Sequence, residues 1–512
     1  MSFLDCSHSI APHDYNRWLV PPAALAVHLS IGQIYAYSVF NAPLTKLIGI
    51  TQSAPDDWKL TTVGWVFSIA LAVLGASAAL FGTWMERVGP RKAMFVAACC
   101  FGLFFLVAAL GVSSHNIWLI YLGNGVIGGV GLGLGYIGLV STLMKWFPDK
   151  PGMATGLAIM GFGGGAMLAS PLSVWLMNAF SSPTSVGVAP TFVVLGLFYF
   201  ALMLFGVFTI RVPADGWKPK GYVAPKSNKK LVSTHHVNAA TAIKTPQFWL
   251  LFSILCLNVT AGIGVLGQAS VMIQELFSAT SVGKDAAVNA AAAAGFVGLL
   301  SLFNMAGRFF WSSISDKIGR KNVYMVFFVL GSLLYFAIPT LGESGNKALF
   351  IIGFCVIISM YGGGFAAIPA YLRDLFGTYQ VGAIHGRILL AWSLAAVLEP
   401  VLVNYIRQGQ IDAGVPAAQA YSMTMYIMAG LLILGLIANA LVKQVHAKHH
   451  DQSVKDAAHS ANPADETAIS DAYLAAEAIS HGGFAVWWRW LLVSVPLAYG
   501  MIMMFIKVFD LF

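Results

Sequence analysis

Charge is what this sequence has least of. Asp, Glu, Lys and Arg make up 10% of its 512 residues, where a soluble domain carries roughly 25%. Water is therefore excluded as the main solvent of the chain. Cysteine is also scarce: Cys6, Cys99, Cys100, Cys256 and Cys355 form no CxxC pair and no metal-ligand spacing. That excludes a disulfide framework and leaves the four cysteines within apolar runs as small packing residues. The first residues, MSFLDCSHSIAPHDYNRW, lack a basic stretch leading to a cleavage site, so no removable signal is expected. The apolar runs do not alternate with polar residues. Because every backbone polar group in lipid must be paired within the protein, helices rather than a closed barrel are expected.

What the chain does have is hydrophobic length: 58% of it is apolar. Charged clusters separate runs of about 20 residues, enough to cross a bilayer. The runs fall at 18–48, 60–84, 93–112, 117–144, 152–178 and 189–210, and again at 247–276, 287–314, 322–341, 348–372, 382–406 and 418–442. A thirteenth follows at 484–508. With the N-terminus in the cytoplasm, 21 of the 29 Lys and Arg lie on cytoplasmic segments and five on outer loops. That asymmetry is the signature of membrane topology, and it accounts for the net charge of +8 without nucleic acid.

The expected organisation is an N-terminal segment 1–17, a six-helix bundle 18–210, a linker 211–246, a second bundle 247–442, a polar tail 443–482 and a further membrane helix 483–512. Lys218, Lys220, Lys226, Lys229 and Lys230 mark the linker as solvated. His446, His449 and His450 read as a solvated tail, and no metal site is expected.

The two bundles repeat each other. GTWMERVGPRK, from Gly82, matches SSISDKIGRK, from Ser312, placing Glu86 and Asp316 230 positions apart. KWFPDKPG, from Lys145, matches RDLFGTYQVG, from Arg373, placing Gly152 and Gly382 at the same separation. Parallel repeats of this kind occur in transporters whose halves rock about a central site.

These loops resemble the major facilitator superfamily over roughly residues 18–442. More locally, GLGLGYIGLVSTLMKWFPDKPGMATGLAIMGFGGG (Gly131 to Gly165), FNMAGR ending at Arg308 and YGGG from Tyr361 resemble its oxalate:formate antiporter family. The resemblance implies an all-α polytopic fold of two parallel six-helix bundles, here with one extra C-terminal helix. It also implies that the loop acid caps a helix start and pairs with arginine, latching the halves. Glu86 with Arg87 and Arg91, and Asp316 with Lys317 and Arg320, would take those roles. Glu86 replaces the usual Asp and Pro90 stands where Arg is common, so the first latch is expected to be the weaker.

Inside the twelve core runs, only Arg308 and Glu399 carry full charge at depth. Arg308 lies eight residues before Asp316, so about 12 Å inward, near the middle of an apolar layer about 30 Å thick. An arginine there costs at least about 2.5–3.5 kcal/mol on insertion scales and calls for an anionic partner. Its planar fork matches a carboxylate, and Asn304, one turn earlier, is placed to orient it. The competing readings are a permanent pair with Glu399 or a stack on an aromatic ring. In the resembled family the arginine at this position is a carboxylate ligand. Gln33, Tyr35, Tyr136, Tyr361 and Trp392 would complete a cage whose ring edges close around a small anion.

An oxalate carrier of that family has a second basic residue where this chain has Trp392, and a tyrosine where it has Phe162. One deep cation matches one carboxylate, and a dianion would leave a charge uncompensated. The expected cargo is therefore a monocarboxylate such as formate, lactate or pyruvate, moved by proton symport or anion exchange, with oxalate:formate exchange as the alternative. Glu399 is a proton-carrier candidate or a neutral carboxyl bonded to backbone loosened by Pro400; His28 is a proton candidate or a packing residue.

The Gly-rich stretch Gly123–Gly135 reads as helix packing with sliding between bundles, since nucleotide binding would need a soluble βαβ unit. The thirteenth run looks similar to single-span companion proteins of some such carriers; it would serve equally as a lipid anchor or an oligomer contact. A non-transporting carboxylate sensor would normally add a signalling domain. No paired carboxylates or nucleophile–base set points to an enzyme, and no cofactor is called for. A monomer in a plasma membrane, as in a bacterial inner membrane, is the expected form.

Overall fold

The computed structural model describes residues 4–214, 217–219, 236–278, 288, 290–377, 380–400, 402–403, 406–416, 419–450 and 483–509. Lys220, Lys226, Lys229 and Lys230 of the linker and most of the expected tail lie outside the described residues. Among those described, eleven helices are long and apolar enough to cross a membrane. In the first half they are α1 (Pro21–Ile31) with a 3-10 extension over Gly32–Ala36, α2 (Leu60–Val88), α3 (Pro90–Ser113), α4 (Ile117–Trp146), α5 (Pro151–Ala179) and α6 (Val188–Thr209). The second half begins with α7 (Pro246–Leu276), followed by a twelfth long helix outside those eleven, α8 (Ala290–Ile318), which carries Arg308 at depth. It continues with α9 (Arg320–Glu343), α10 (Lys347–Phe376), α11 (Val381–Leu398) and α12 (Ser422–Leu441). A last helix, α13, spans Gly483–Phe509.

Helix starts follow local chemistry. Proline opens α3, α5 and α7, where its missing N–H costs no hydrogen bond and its φ is already helical. Gly89 joins α2 to α3 with φ 82°, and Gly319 joins α8 to α9 with φ 90°. These two glycines stand 230 positions apart, so the repeat extends to a backbone turn that strains any L side chain.

Some expected spans are not single rods. The first breaks at Gly32–Ala36 and resumes as a short helix over Ser38–Leu44. The eleventh is interrupted at Leu389, between Val381–Ile388 and Leu390–Pro400. Within α4, the Gly-rich segment Tyr121–Ile127 takes a π-helical turn.

The bundles α1–α6 and α7–α12 meet along two seams, α5 on α8 and α2 on α11. Both are built on glycine. A Cβ at Gly152 or Gly156 of α5 would strike the Ser312 carbonyl or Ser312 Oγ of α8, and one at Gly386 of α11 would strike the Ala78 carbonyl of α2. Small residues let backbones approach this closely. Gly129 and Gly133 of α4, by contrast, face Ala70 and Leu74 of α2 within the first bundle. The Gly123–Gly135 stretch therefore packs inside one half, and the glycines at the seams between the bundles lie on α5 and α11 instead.

The thirteenth helix lies against α1, α5 and α8, touching both bundles. Arg489 donates to Tyr15 Oη and to the Leu19 carbonyl, each at 3.2 Å, and Trp490 Nε1 donates to the Trp18 carbonyl at 3.2 Å. At Gly500 the α5 backbone of Met167 comes within 3.0 Å of where a Cβ would sit.

Candidate functional site

Arg308 is fully buried where α8 faces α5. Its Nε donates to Asn304 Oδ1 at 3.0 Å, one turn back on the same helix, and its Nη1 lies 3.5 Å from the Ile159 carbonyl of α5. The guanidinium carbon sits 5.0 Å from the Phe365 ring centroid and 5.6 Å from that of Phe162. Nη2 has no hydrogen-bond partner among the described residues. The arginine is thus aimed and flanked by rings, with one donor left over. A buried unpaired donor costs about 1–3 kcal/mol, more when charged.

The expected cage residues assemble around the same rings. Tyr35 Oη meets Tyr361 Oη at 3.2 Å across the two bundles. The Tyr35 ring stands edge-on to Phe162 at 5.0 Å, and Trp392 packs against Phe365 at 4.8 Å and Phe162 at 5.7 Å. Tyr136 lies 5.6 Å from Phe365 and 6.1 Å from Phe162. Trp392 Nε1 and Tyr136 Oη are buried without a partner among the described residues. Gln33, 4% exposed, lies in the 3-10 turn beside Tyr35. The side chain of Glu399 lies outside the described residues. An open cleft of about 420 Å³ lined by Val39, Pro43, Lys46, Val174 and Asn178 sits elsewhere; none of the Arg308 neighbours lines it.

One polar residue at the site escaped the sequence reading. His385 of α11 is 1% exposed, and its ring centroid lies 5.5 Å from that of Tyr136. On the other face, His28 is edge-on to Tyr136 at 5.5 Å. His28 Nδ1 bonds the Ala24 carbonyl at 3.0 Å. A carbonyl only accepts, so that nitrogen carries the proton and Nε2 keeps a lone pair.

At the end of the bundles that bears the basic loops, Asp316 spans the α5–α8 seam. Its two oxygens accept the N–H groups of Gly152 and Met153, each at 2.9 Å. Free N–H groups and the helix dipole favour a carboxylate at that N-terminus. Arg320 pairs with Asp316 at 2.5 Å and reaches Asp374 at 3.4 Å; Lys317 is exposed.

The other seam departs from expectation. Glu86 takes Lys145, 3.7 Å away, as its ion-pair partner, where Arg87 or Arg91 was expected. Arg87 is exposed. Arg91 donates to the His8 carbonyl at 2.9 Å and the Ile210 carbonyl at 3.1 Å, tying the N-terminal segment to the end of α6. Pro90 opens α3 at Gly89, and the buried Arg91 side chain that follows is committed within its own bundle. Glu86 Oε1 still presses on Gly382, where a Cβ would collide with it, so both acids address the start of a helix in the opposite half.

Two helical bundles of membrane-crossing length around a buried charged residue make this a multi-pass membrane protein. Residues 22–400 match the sequence profile of the Major Facilitator Superfamily, and the chain belongs to that family. It is similar to the uncharacterised transporter YhjX of Escherichia coli strain K12, 26% identical over 390 residues that cover 76% of this chain and 88% of that one. The oxalate:formate antiporter of Oxalobacter formigenes is 26% identical over 75% of this chain and 83% of its own length. Apicoplast pyruvate carrier 1 of Toxoplasma gondii is 26% identical over 66% and 68%. The fold matches that of the proton:xylose symporter XylE with a TM-score of 0.61 at 15% identity, over 82% of this chain and 94% of that one.

Proposed function

We propose that this protein is a secondary carrier of small monocarboxylates such as formate, lactate or pyruvate, binding them at Arg308 and moving them by alternating access. The observation that carries the reading is a buried guanidinium at the junction of the bundles with Nη2 unpartnered. A carboxylate entering there completes the fork with charge-assisted hydrogen bonds, while Phe162, Phe365 and Trp392 exclude water around it. Asn304 fixes the fork, and Tyr35 with Tyr361 forms the closing contact between halves. Two curated relatives carry oxalate and formate, or pyruvate, in their names.

Exchange of oxalate for formate is the second reading, favoured by the similarity to the named antiporter. Against it stands the neutral Trp392 beside a single deep cation. In either case the basic loops face the cytoplasm of a plasma membrane, and one chain suffices. The Asp316 and Glu86 contacts hold that side shut and break when the halves rock.

Uptake of labelled formate, lactate, pyruvate and oxalate into proteoliposomes tests the reading, with wild type compared with Arg308→Ala. Arg308-dependent uptake of a monocarboxylate is expected. Failure of all four acids in folded wild type overturns it, leaving a carrier of other cargo or a sensor.

A further inference from the structure

Around Tyr136, whose ring belongs to the expected cage, the structure gathers polar atoms that the contacts of Arg308 leave unpartnered. His28 Nε2, Tyr136 Oη and both ring nitrogens of His385 are buried with no hydrogen-bond partner among the described residues. They come from α1, α4 and α11, so the cluster spans the two bundles. Tyr136 stands between the imidazoles, its ring 5.5 Å from each. Its other neighbours are Phe365 and Phe162, the same rings that flank Arg308. Four orphaned polar atoms around a ring that shares its aromatic neighbours with Arg308 are a standing cost, and both imidazoles offer a nitrogen lone pair that can take up a proton during the transport cycle.

We propose that His385 and His28, on either side of Tyr136, are the site at which the coupling proton rides with the carboxylate. The proposal rests on the carboxylate reading and settles its mode as symport. The proton adds to a ring-nitrogen lone pair, His28 Nε2 or the unprotonated nitrogen of His385, giving an imidazolium. It leaves to water on the opposite side, and nothing is oxidised or reduced.

Electrostatics makes the two loads arrive together. A positive charge on Arg308, which shares its aromatic neighbours with Tyr136, opposes a second cation in a low-dielectric interior. A bound carboxylate neutralises Arg308 and lifts that opposition, so anion and proton enter as a neutral pair. His385 belongs to one half while His28 and Tyr136 belong to the other, so a proton here alters the contact that must break when the halves rock.

Among the described residues, few other charges intervene. On α2, Glu86 lies at Gly382, one turn from His385. On α10, Tyr361 is bonded to Tyr35 and Asp374 is paired with Arg320. On α7, Glu275 pairs with Arg407. Arg387 follows His385 on α11, and Arg489 of α13 is bonded to Tyr15.

The test separates net transport from exchange in proteoliposomes containing a pH dye. Counterflow of labelled pyruvate, lactate and formate needs no net proton movement, whereas accumulation under an inward proton gradient does. Wild type should acidify the lumen as it accumulates cargo. In His385→Gln and in His28→Gln, the ratio of gradient-driven accumulation to counterflow should fall at least tenfold. Both variants keeping the wild-type ratio would overturn the proposal. So would cargo uptake by wild type without lumen acidification. Parallel loss of counterflow and accumulation in folded His385→Gln and His385→Asn would also overturn it, placing the histidine in cargo binding or the scaffold. Absence of counterflow in wild type would sink the carboxylate reading, and this proposal with it.

Discussion

Tyr35 of α1 and Tyr361 of α10 touch hydroxyl to hydroxyl at 3.2 Å, one from each bundle, beside the rings that flank Arg308. A hydrogen bond between moving halves biases the equilibrium between the states that make and break it. Its net value is about 0.5–1.5 kcal/mol, a shift of roughly 2- to 10-fold. Tyr35→Phe and Tyr361→Phe should each change the turnover of proteoliposome uptake within that range. The double variant should be no worse than the worse single one, because the two hydroxyls form one contact. Additive losses would mean that each hydroxyl acts independently.

The Asp316 latch should show itself as a kinetic effect. Asp316→Asn weakens the contact with Gly152 and Met153 and the pair with Arg320, interactions of about 1.5–3 kcal/mol each when charge-assisted. The proposed cargo ligand Arg308 lies eight residues away, so maximal uptake rate should fall at least tenfold while equilibrium cargo affinity stays within threefold. Glu86→Gln should be milder, since its pair with Lys145 is longer and half exposed on the lysine side. Equal losses in both variants would contradict this asymmetry.

Much of this was legible in the chain. A repeat offset of 230 located both latch acids and, unannounced, the paired turns at Gly89 and Gly319. Arg308 stood out because a full charge deep in an apolar run is costly and calls for a partner, although a pair with Glu399 or a stack on a ring competed with anion binding. His385 stayed hidden because it lies two residues from Arg387, where hydropathy places the end of a span; only the packing of α11 on α4 makes it interior. Phe365 was missed for a related reason, as one apolar residue among many on α10. Pairing of Glu86 could not be read either, since loop motif alone does not say which of several nearby cations a carboxylate will face.

The loop between α1 and α2 offers a pH signature. Burial works against the Asp57 carboxylate, but the N–H groups of Ile48 and Ala54, each at 2.8 Å, and of Gly49 at 3.0 Å outweigh it and hold the carboxyl below its ordinary range. A lowered folded value means that the stability it contributes is full above about pH 4 and is lost as pH falls through the folded value. Melting of purified protein between pH 3 and pH 6 should show that loss in wild type. Asp57→Ala should melt lower at pH 6 and show a shallower fall in acid. Identical acid limbs would contradict the assignment.

Removing α13 should cost stability. It covers Leu25, Ala26 and Leu29, which form a buried cluster with Val493. Truncation after residue 450 should lower the melting temperature in detergent by several degrees, and Arg489→Ala, which loses the bonds to Tyr15 and Leu19, by less. An unchanged melting temperature in the truncated protein would mean that α13 does not hold this position.

The central claim is that Arg308 binds the cargo carboxylate. Calorimetric titration of purified protein with pyruvate, lactate, formate and oxalate, in wild type and Arg308→Lys, tests it most directly. Lysine keeps the charge but loses the planar fork, so monocarboxylate affinity should fall at least tenfold while folding and melting stay close to wild type. Equal affinity in the two proteins, or no binding of any of the four acids to wild type, would contradict the claim.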